Sequence, residues 1–183
     1  FLGGPWVDKL EKSFCSYFSR NYAVSMNSAT SALYAAVYAL GIQQSDEVIV
    51  TPYTMSASAT AVLACSAVPV FVDVDVNNYC LDADKIEAAI TKRTKAIIVV
   101  HLFGNPAEMD KIMRLAKKYR LSLIEDCAQS PGAKYQERFT GCFGDVGVFS
   151  LNRHKTIQTG EGGVAVTDCR DIAFRLRLIR NHA

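Results

Sequence analysis

Glycine and proline are scarce in this sequence, with 11 glycines and 5 prolines among 183 residues. Low-complexity and collagen-like chains contain roughly a quarter or more of these two residues, so both classes are excluded. Half of the residues are hydrophobic, which is enough for a chain of this length to bury a core. Because no linker or internal repeat is visible, we expect a single domain over residues 1–183.

An excess of charge of one sign is also missing. The 20 Lys and Arg residues nearly balance the 18 Asp and Glu residues, and the net charge is +2. Proteins that bind nucleic acid or anionic membranes usually carry a strong basic excess, so we expect neither partner. The charge-free segment 48–72 contains two prolines and six Ser or Thr residues, which is unlike a membrane span. Residues 1–5 have neither the basic segment nor the long apolar run of a signal peptide.

Closely spaced cysteines are absent as well. The six cysteines stand at least 15 residues apart, so the sequence has no CxxC pair and no spacing typical of zinc ligands, and we expect no metal site. A chain with a sizeable core needs no disulfide to fold. Reduced thiols in a cytoplasmic protein fit this pattern best, although the sequence leaves an oxidised pair open.

Short apolar segments alternate with helical patterns along the chain. Several of these segments are continuously apolar, as in strands that are covered on both faces. This order predicts an α/β fold: three α/β/α layers with a mostly parallel sheet of about seven strands. The last two strands are joined by a glycine-rich segment, so an antiparallel pair is expected there. The predicted strands are 22–26, 47–50, 68–73, 96–102, 122–125, 146–150 and 164–167; the predicted helices are 29–40, 56–65, 82–90, 106–119 and 171–180.

The residues suited to chemistry follow predicted strands, where α/β sheets bind ligands. Asp126 ends a buried strand, and such a carboxylate either caps a helix, pairs with a cation or faces a ligand. Lys155 lies between a strand and the glycine-rich segment 160–163, where a backbone can approach a ligand closely, although a loop lysine is usually solvated. The strand-to-helix junction 27–31 offers backbone amides to an anion.

An anion site, a lysine and a carboxylate are the groups that pyridoxal phosphate requires of a protein. The sequence resembles the DegT/DnrJ/EryC1/StrS family of sugar aminotransferases, which are pyridoxal-phosphate enzymes of fold type I. The resemblance covers essentially the whole chain. It rests on the ordered segments 27–33, 46–49, 69–73, 100–104, 125–129, 149–150, 155, 160–163 and 180–182.

The resemblance implies four residues around the cofactor ring. Lys155 corresponds to the lysine that forms a Schiff base with the cofactor and then acts as general base and acid, so it is the expected catalytic residue. Asp126 corresponds to the acid that keeps the pyridine nitrogen protonated, and Gln129 to the residue that binds the phenolic oxygen. Met55 stands where the family usually has an aromatic residue stacked on the ring. Its sulfur can lie against a ring, and Tyr53 is a second candidate for stacking surface.

The resemblance also implies the phosphate site. Ala29 and Thr30 correspond to the phosphate-binding residues at the start of a helix, and Ser150 corresponds to a second phosphate-binding hydroxyl. The family commonly has glycine where this chain has Ala29. An alanine is acceptable there only if its backbone φ is negative.

The function that the resemblance implies is transfer of an amino group, expected from glutamate, to a keto sugar of a nucleotide sugar. One alternative is a sugar dehydratase of the same family, in which histidine replaces the lysine. His154 is adjacent, but the lysine lies five residues after Ser150, as in the aminotransferases. A second alternative is a non-catalytic regulatory protein. Nicotinamide-dinucleotide binding is disfavoured because no GxGxxG follows the first strand.

His101 and His154 are expected to be structural residues, either packed or locally hydrogen-bonded.

The resemblance further implies a homodimer with a shared active site and a small C-terminal domain that this sequence lacks. The first residue is not Met, and the last residues lie inside a helical pattern. We therefore expect residues 1–183 to be the cofactor-binding large domain of a longer protein. Alone, this domain should bind the cofactor poorly.

Overall fold

The structure is a computed structural model that describes residues 4–181. A 3₁₀ turn spans Leu102–Gly104. The helices are α1 Pro5–Phe18, α2 Ala29–Ala39, α3 Ala57–Ala64, α4 Ala83–Ala89, α5 Met109–Tyr119 and α6 Arg170–Arg180. The strands are β1 Tyr22–Met26, β2 Glu47–Val50, β3 Val68–Phe71, β4 Thr94–Val100, β5 Ser122–Asp126, β6 Lys134–Tyr135, β7 Arg138–Phe139, β8 Val146–Ser150 and β9 Gly163–Thr167.

Seven strands form one sheet in the order β1-β9-β8-β5-β4-β2-β3. The pairs among β3, β2, β4, β5 and β8 are parallel, whereas β9 is antiparallel to both of its neighbours. The predicted mostly parallel sheet and its antiparallel last pair are therefore confirmed. Since β9 reverses the direction, β1 runs the same way as β8. The carboxyl ends of β1, β2, β4, β5 and β8 consequently meet at one edge.

Helices cover both faces of this sheet. Helices α2, α3 and α6 pack with alternate strand residues such as Ala96 and Ile98 on one face. Helices α4 and α5 pack with Ile97 and Val99 on the other face. Helix α1 joins a third cluster with β1, β8 and β9, which includes Phe149. The alternation of side chains along a strand explains why a continuously apolar segment serves both layers.

The structure differs from the sequence-based expectation in three places. Helix α1 was not predicted, although Pro5 stands at its start and Phe14 and Phe18 form its buried stripe. Helix α5 begins at Met109 rather than at residue 106, because the amide of buried Ala107 donates to the ring of His101 and holds residues 106–108 outside the helix. The β6–β7 hairpin was also missed. Its turn residues Gln136 and Glu137 have positive φ without the usual Gly or Asn signal.

All six cysteines are free in the structure. Among residues 4–181, none of the helices has the length and apolar character needed to cross a membrane.

Candidate active site

A cavity of about 220 Å³ lies at the sheet edge where the strand ends meet. Its wall is built from the segments that follow β1, β2, β5 and β8, as expected for a parallel sheet. Six residues of the predicted site line it together, namely Ala29, Thr30, Met55, Asp126, Ser150 and Lys155.

One end of the cavity is suited to an anion. Ser28 caps α2, and its hydroxyl accepts the Ser31 amide at 3.1 Å. The amides of Ala29 and Thr30 belong to the first helical turn, where no carbonyl of the same helix can reach them, and the helix dipole favours negative charge there. Ala29 is helical and has no positive φ, so the condition for alanine at this position is met.

Ser150 and Gly163 complete this end of the cavity. Ser150 is buried, and its oxygen accepts the Asn152 amide at 3.4 Å, which leaves the hydroxyl proton for a ligand. Gly163 pairs with both Ser150 and Met26. A Cβ on Gly163 would lie 2.5 Å from the Ala29 nitrogen, so only glycine lets β9 approach the start of α2 this closely.

Asp126 occupies the middle of the wall and is buried. The Ser58 hydroxyl donates to its Oδ2 at 2.9 Å, and the Ala128 amide donates to its Oδ1 at 3.1 Å. Burial raises the pKa of Asp126, and these two donors and the nearby positive charge of Lys155 oppose the rise. No helix begins at this carboxylate, so the helix-cap alternative is excluded by the fold.

The side chain of the adjacent acid, Glu125, lies on the opposite face of the sheet from Asp126. Its oxygens accept the amides of Gly141, Phe143 and Gly144 and face Nε2 of His101 at 3.0 Å. Since Nδ1 of His101 accepts the Ala107 amide, the ring proton is on Nε2 and is donated to Glu125. His101 is therefore a structural residue, as predicted from the sequence.

Cys127 lies close to this pair, and its sulfur and the donor atoms of His101 and Glu125 lie within 4.8 Å of one another. The acidic and imidazole groups already bind protein donors and acceptors. We therefore describe the cluster as a hydrogen-bond network.

Lys155 is carried by the loop between β8 and β9 and is half-buried. Its amide donates to the Asn152 carbonyl at 2.9 Å, and the loop is closed by a side-chain hydrogen bond from Asn152 to Glu161. His154 is exposed and lines the cavity beside Lys155; the local hydrogen bond that was expected is made by its backbone amide, to Asn152. Of the two alternatives expected for His154, the structure thus shows the local hydrogen bond rather than packing.

Gln129 is the one predicted residue outside the described cavity wall. Its Oε1 accepts the Phe103 amide at 3.1 Å. Because a backbone amide can only donate, the side-chain NH₂ group is directed elsewhere and keeps both of its protons for another partner.

Met55 and Tyr53 differ in their position relative to the cavity. Met55 lines the cavity and is 59% exposed, so it can cover a bound ring. Tyr53 lies instead against Tyr79 and Phe103, with ring centroids 6.2 and 6.3 Å away. The suggestion that Tyr53 supplies stacking surface gains no support from this placement.

These groups fit pyridoxal phosphate by their chemistry. The cavity offers free helix amides and a hydroxyl for a phosphate, a primary amine for an aldehyde, and a buried carboxylate for a ring nitrogen. Among the described residues that line it, Lys155 carries the only primary amine.

Comparison with known proteins agrees with this donor set. Residues 1–183 match the DegT/DnrJ/EryC1/StrS aminotransferase family. The chain belongs to this family.

A curated relative, UDP-N-acetyl-3-dehydro-alpha-D-glucosamine 3-aminotransferase of Acidithiobacillus ferrooxidans, is 49% identical over 183 residues, which are 100% of this chain and 50% of the relative. The structure of S. venezuelae DesV matches with a TM-score of 0.95 and 42% identity, over 99% of this chain and 49% of DesV. NtdA of Bacillus subtilis, solved with bound cofactor PMP, matches with a TM-score of 0.91 and 35% identity, over 96% of this chain and 40% of NtdA. The chain thus spans about half the length of the relatives it matches.

Within this DegT/DnrJ/EryC1/StrS member, sequence reasoning missed three residues that help to form the site. Ser58 binds Asp126, and Asn152 and Glu161 close the Lys155 loop. The matched segment 160–163 contains Glu161, so a sequence signal for this residue was present. Ser58 carried none, because its partner is 68 residues away along the chain.

Proposed function

We propose that this chain is the cofactor-binding domain of a pyridoxal-phosphate aminotransferase that aminates a keto sugar attached to a nucleotide. The observation that carries the proposal is the meeting of the Lys155 amine and the buried Asp126 carboxylate in one cavity that begins at the α2 N-terminus. The 49% identical relative is named as an aminotransferase of a UDP-linked dehydro sugar, which supports this substrate class.

Different residues of the chain would bind the cofactor and carry out the proton transfers. Bound pyridoxal phosphate would supply an aldehyde that condenses with amines and a ring that accepts electrons. Ala29, Thr30 and Ser150 would hold its phosphate, and Asp126 would keep its ring nitrogen protonated. The Nζ atom of Lys155 would first act as the nucleophile and then take and return the proton as general base and acid.

Two further residues complete the proposed ring site. Met55 would cover one face of the ring, since a thioether packs favourably against an aromatic system. The NH₂ group of Gln129 would donate to the phenolic oxygen, which agrees with the commitment of its Oε1 to the Phe103 amide.

We also propose that the site is shared within a homodimer. Tyr53, Tyr79 and Phe103 form a cluster of exposed rings, with 51%, 52% and 70% of each residue accessible. The Phe103 amide binds Gln129, so this cluster is connected to the site. Contiguous exposed apolar surface of this kind favours association. The small C-terminal domain would lie in the part of the relatives that this chain does not cover, and the amino donor would be glutamate.

The six free cysteines support a cytoplasmic location, where thiols are kept reduced.

The proposal is tested by locating the reactive amine. The full-length enzyme is incubated with pyridoxal phosphate, reduced with borohydride and digested, and the labelled peptide is identified by mass spectrometry. We expect the label on Lys155 and its loss in Lys155→Ala, together with a fall in turnover of about 10³-fold or more. Lys92→Ala, which changes an exposed lysine outside the cavity, should keep the label. A label that persists in Lys155→Ala would contradict the proposal.

Product analysis separates the alternatives. With glutamate and a nucleotide-linked keto sugar, transamination releases 2-oxoglutarate in step with the amino sugar. Loss of water from the sugar without a matching amount of 2-oxoglutarate would indicate the dehydratase. Cofactor binding without turnover of any keto sugar would indicate a regulatory protein.

A further inference from the structure

Ser58 is a buried hydroxyl to which the proposed mechanism gives no role. It is the second residue of α3 and is 0% exposed. Its Oγ lies 2.9 Å from Oδ2 of Asp126 and 3.3 Å from Oγ1 of Thr54. A buried serine that is held between a hydroxyl and a carboxylate is placed to orient one of them.

The direction of these hydrogen bonds follows from chemistry. An ionised carboxylate can only accept, so the Ser58 proton is directed to Asp126. Thr54 must then donate its own proton to Ser58. The result is a polarised chain from Thr54 through Ser58 to Asp126, in which each donor strengthens the next hydrogen bond.

Both carboxylate oxygens are fixed by this arrangement. Oδ2 accepts from Ser58 and Oδ1 accepts from the Ala128 amide, while the carboxylate still lines the cavity. The remaining lone pairs are therefore held in one orientation toward the cavity. The titratable groups around Asp126 are Lys155, whose positive charge favours the ionised form of Asp126, the His101 ring, which is neutral because its Nδ1 accepts the Ala107 amide, and the acid Glu125 on the opposite face of β5.

The segment from Thr54 to Ser58 also contains Met55, which lines the same cavity. One short segment, which runs from the loop after β2 into the first turn of α3, thus carries both a ring-covering side chain and the anchor of the carboxylate. Displacing this segment would disturb both contacts together.

We propose that Ser58 is a positioning residue that holds the Asp126 carboxylate toward the pyridine nitrogen of the bound cofactor, with Thr54 as the donor that fixes the Ser58 hydroxyl. This inference rests on the proposed function. Without the hydroxyl, a buried carboxylate loses one of its two protein donors, so its charged form is less stable and its orientation is less restricted.

The test compares two cofactors in the full-length enzyme. Ser58→Ala should weaken the binding of pyridoxal phosphate about tenfold, which corresponds to the loss of one hydrogen bond to a charged group. An analogue in which carbon replaces the ring nitrogen has no nitrogen-bound proton for Asp126 to hold. Ser58→Ala should therefore bind this analogue with the same affinity as the wild type. Thr60→Ala removes an exposed hydroxyl from the same helix and should change neither affinity.

Three results would overturn the inference. These are an unchanged affinity of Ser58→Ala for pyridoxal phosphate, an equal loss for both cofactors, or a loss in Thr60→Ala as large as that in Ser58→Ala. If Ser58→Ala does not fold, Thr54→Val makes the same comparison with the serine retained, and we expect a loss of about threefold for pyridoxal phosphate alone. Labelling of Lys155 in the wild type is scored separately, so a failure here is distinguishable from a failure of the proposed function.

Discussion

At the scale of single residues, Glu125 and Asp126 show how two neighbouring acids acquire opposite properties. They point to opposite faces of β5 because side chains alternate along a strand. Burial alone would raise the pKa of Glu125, but His101 and the amides of Gly141 and Gly144 outweigh it and the pKa falls below its ordinary value of 4.5. Asp126 has fewer donors, and burial keeps its pKa raised. Glu125 therefore stabilises the fold, whereas the charged form of Asp126 is held at the cavity in a less stable state.

Replacing the stabilising acid should weaken the fold in a pH-dependent manner. Glu125→Gln would place an amide NH₂ group against backbone donors, and we expect the free energy of unfolding to fall by about 2–4 kcal/mol at neutral pH. Since the folded-state pKa is lowered, the contribution of Glu125 is complete above about pH 5 and is lost as the pH falls through the folded pKa. Urea denaturation from about pH 3 to pH 8 measures this difference.

The difference in the free energy of unfolding between wild type and Glu125→Gln should therefore become smaller at acidic pH. Glu137→Gln, at an exposed turn position, is the control and should change stability by less than about 0.5 kcal/mol. A gap that is independent of pH would show that the charge of Glu125 is not the stabilising feature.

At the scale of elements, the proposed phosphate site depends on how closely β9 approaches α2. Gly163 begins β9 and pairs with the last residues of β1 and β8. A Cβ at this position would lie 2.4–2.5 Å from backbone atoms of Ser28 and Ala29, which a rotamer change cannot relieve. The far end of α2 is also held, because the Arg175 side chain of α6 donates to the Ala39 carbonyl at 2.9 Å.

Gly163→Ala should therefore damage binding as well as stability. We expect a loss of about 1–3 kcal/mol in the free energy of unfolding. The affinity for pyridoxal phosphate should fall at least about tenfold, because the amides of Ala29 and Thr30 would move away from the Ser150 hydroxyl. Thermal unfolding and cofactor titration measure the two effects.

Gly4→Ala is the matched control, because a Cβ there meets nothing within 4 Å. If Gly163→Ala bound the cofactor like this control, the close approach of β9 and α2 would have no part in the anion site.

At the scale of the whole molecule, the proposed dimer makes binding dependent on protein concentration. If a partner completes the site, the cofactor binds the dimer more tightly than the monomer, and by linkage the cofactor also stabilises the dimer. On dilution of the full-length enzyme through its dissociation range, we expect the affinity for pyridoxal phosphate to fall at least about tenfold. Sedimentation velocity and cofactor titration on the same samples test this expectation, and full affinity in a demonstrated monomer would contradict the shared site.

Much of the fold and part of the site could be predicted from the sequence. Strands 22–26, 47–50 and 146–150 were predicted with the bounds that the structure has. Continuous apolar segments report burial on both faces, and this is a local property of the sequence. Helix α1 and the β6–β7 hairpin were missed, the hairpin because its turn uses Gln136 and Glu137 where a glycine signal would be expected.

The sequence by itself determined the α/β order of elements, the strand end that carries Asp126, the loop that carries Lys155, and the family, because these depend on residue types in a fixed order. The tertiary structure alone decided which side chains meet. Ser58 reaches Asp126 across 68 residues, and Glu125 turns to His101 while its neighbour turns to the cavity. The reason is physical: hydrogen-bond partners are chosen by the direction in which packed strands and helices hold them, and no spacing along the chain records that direction.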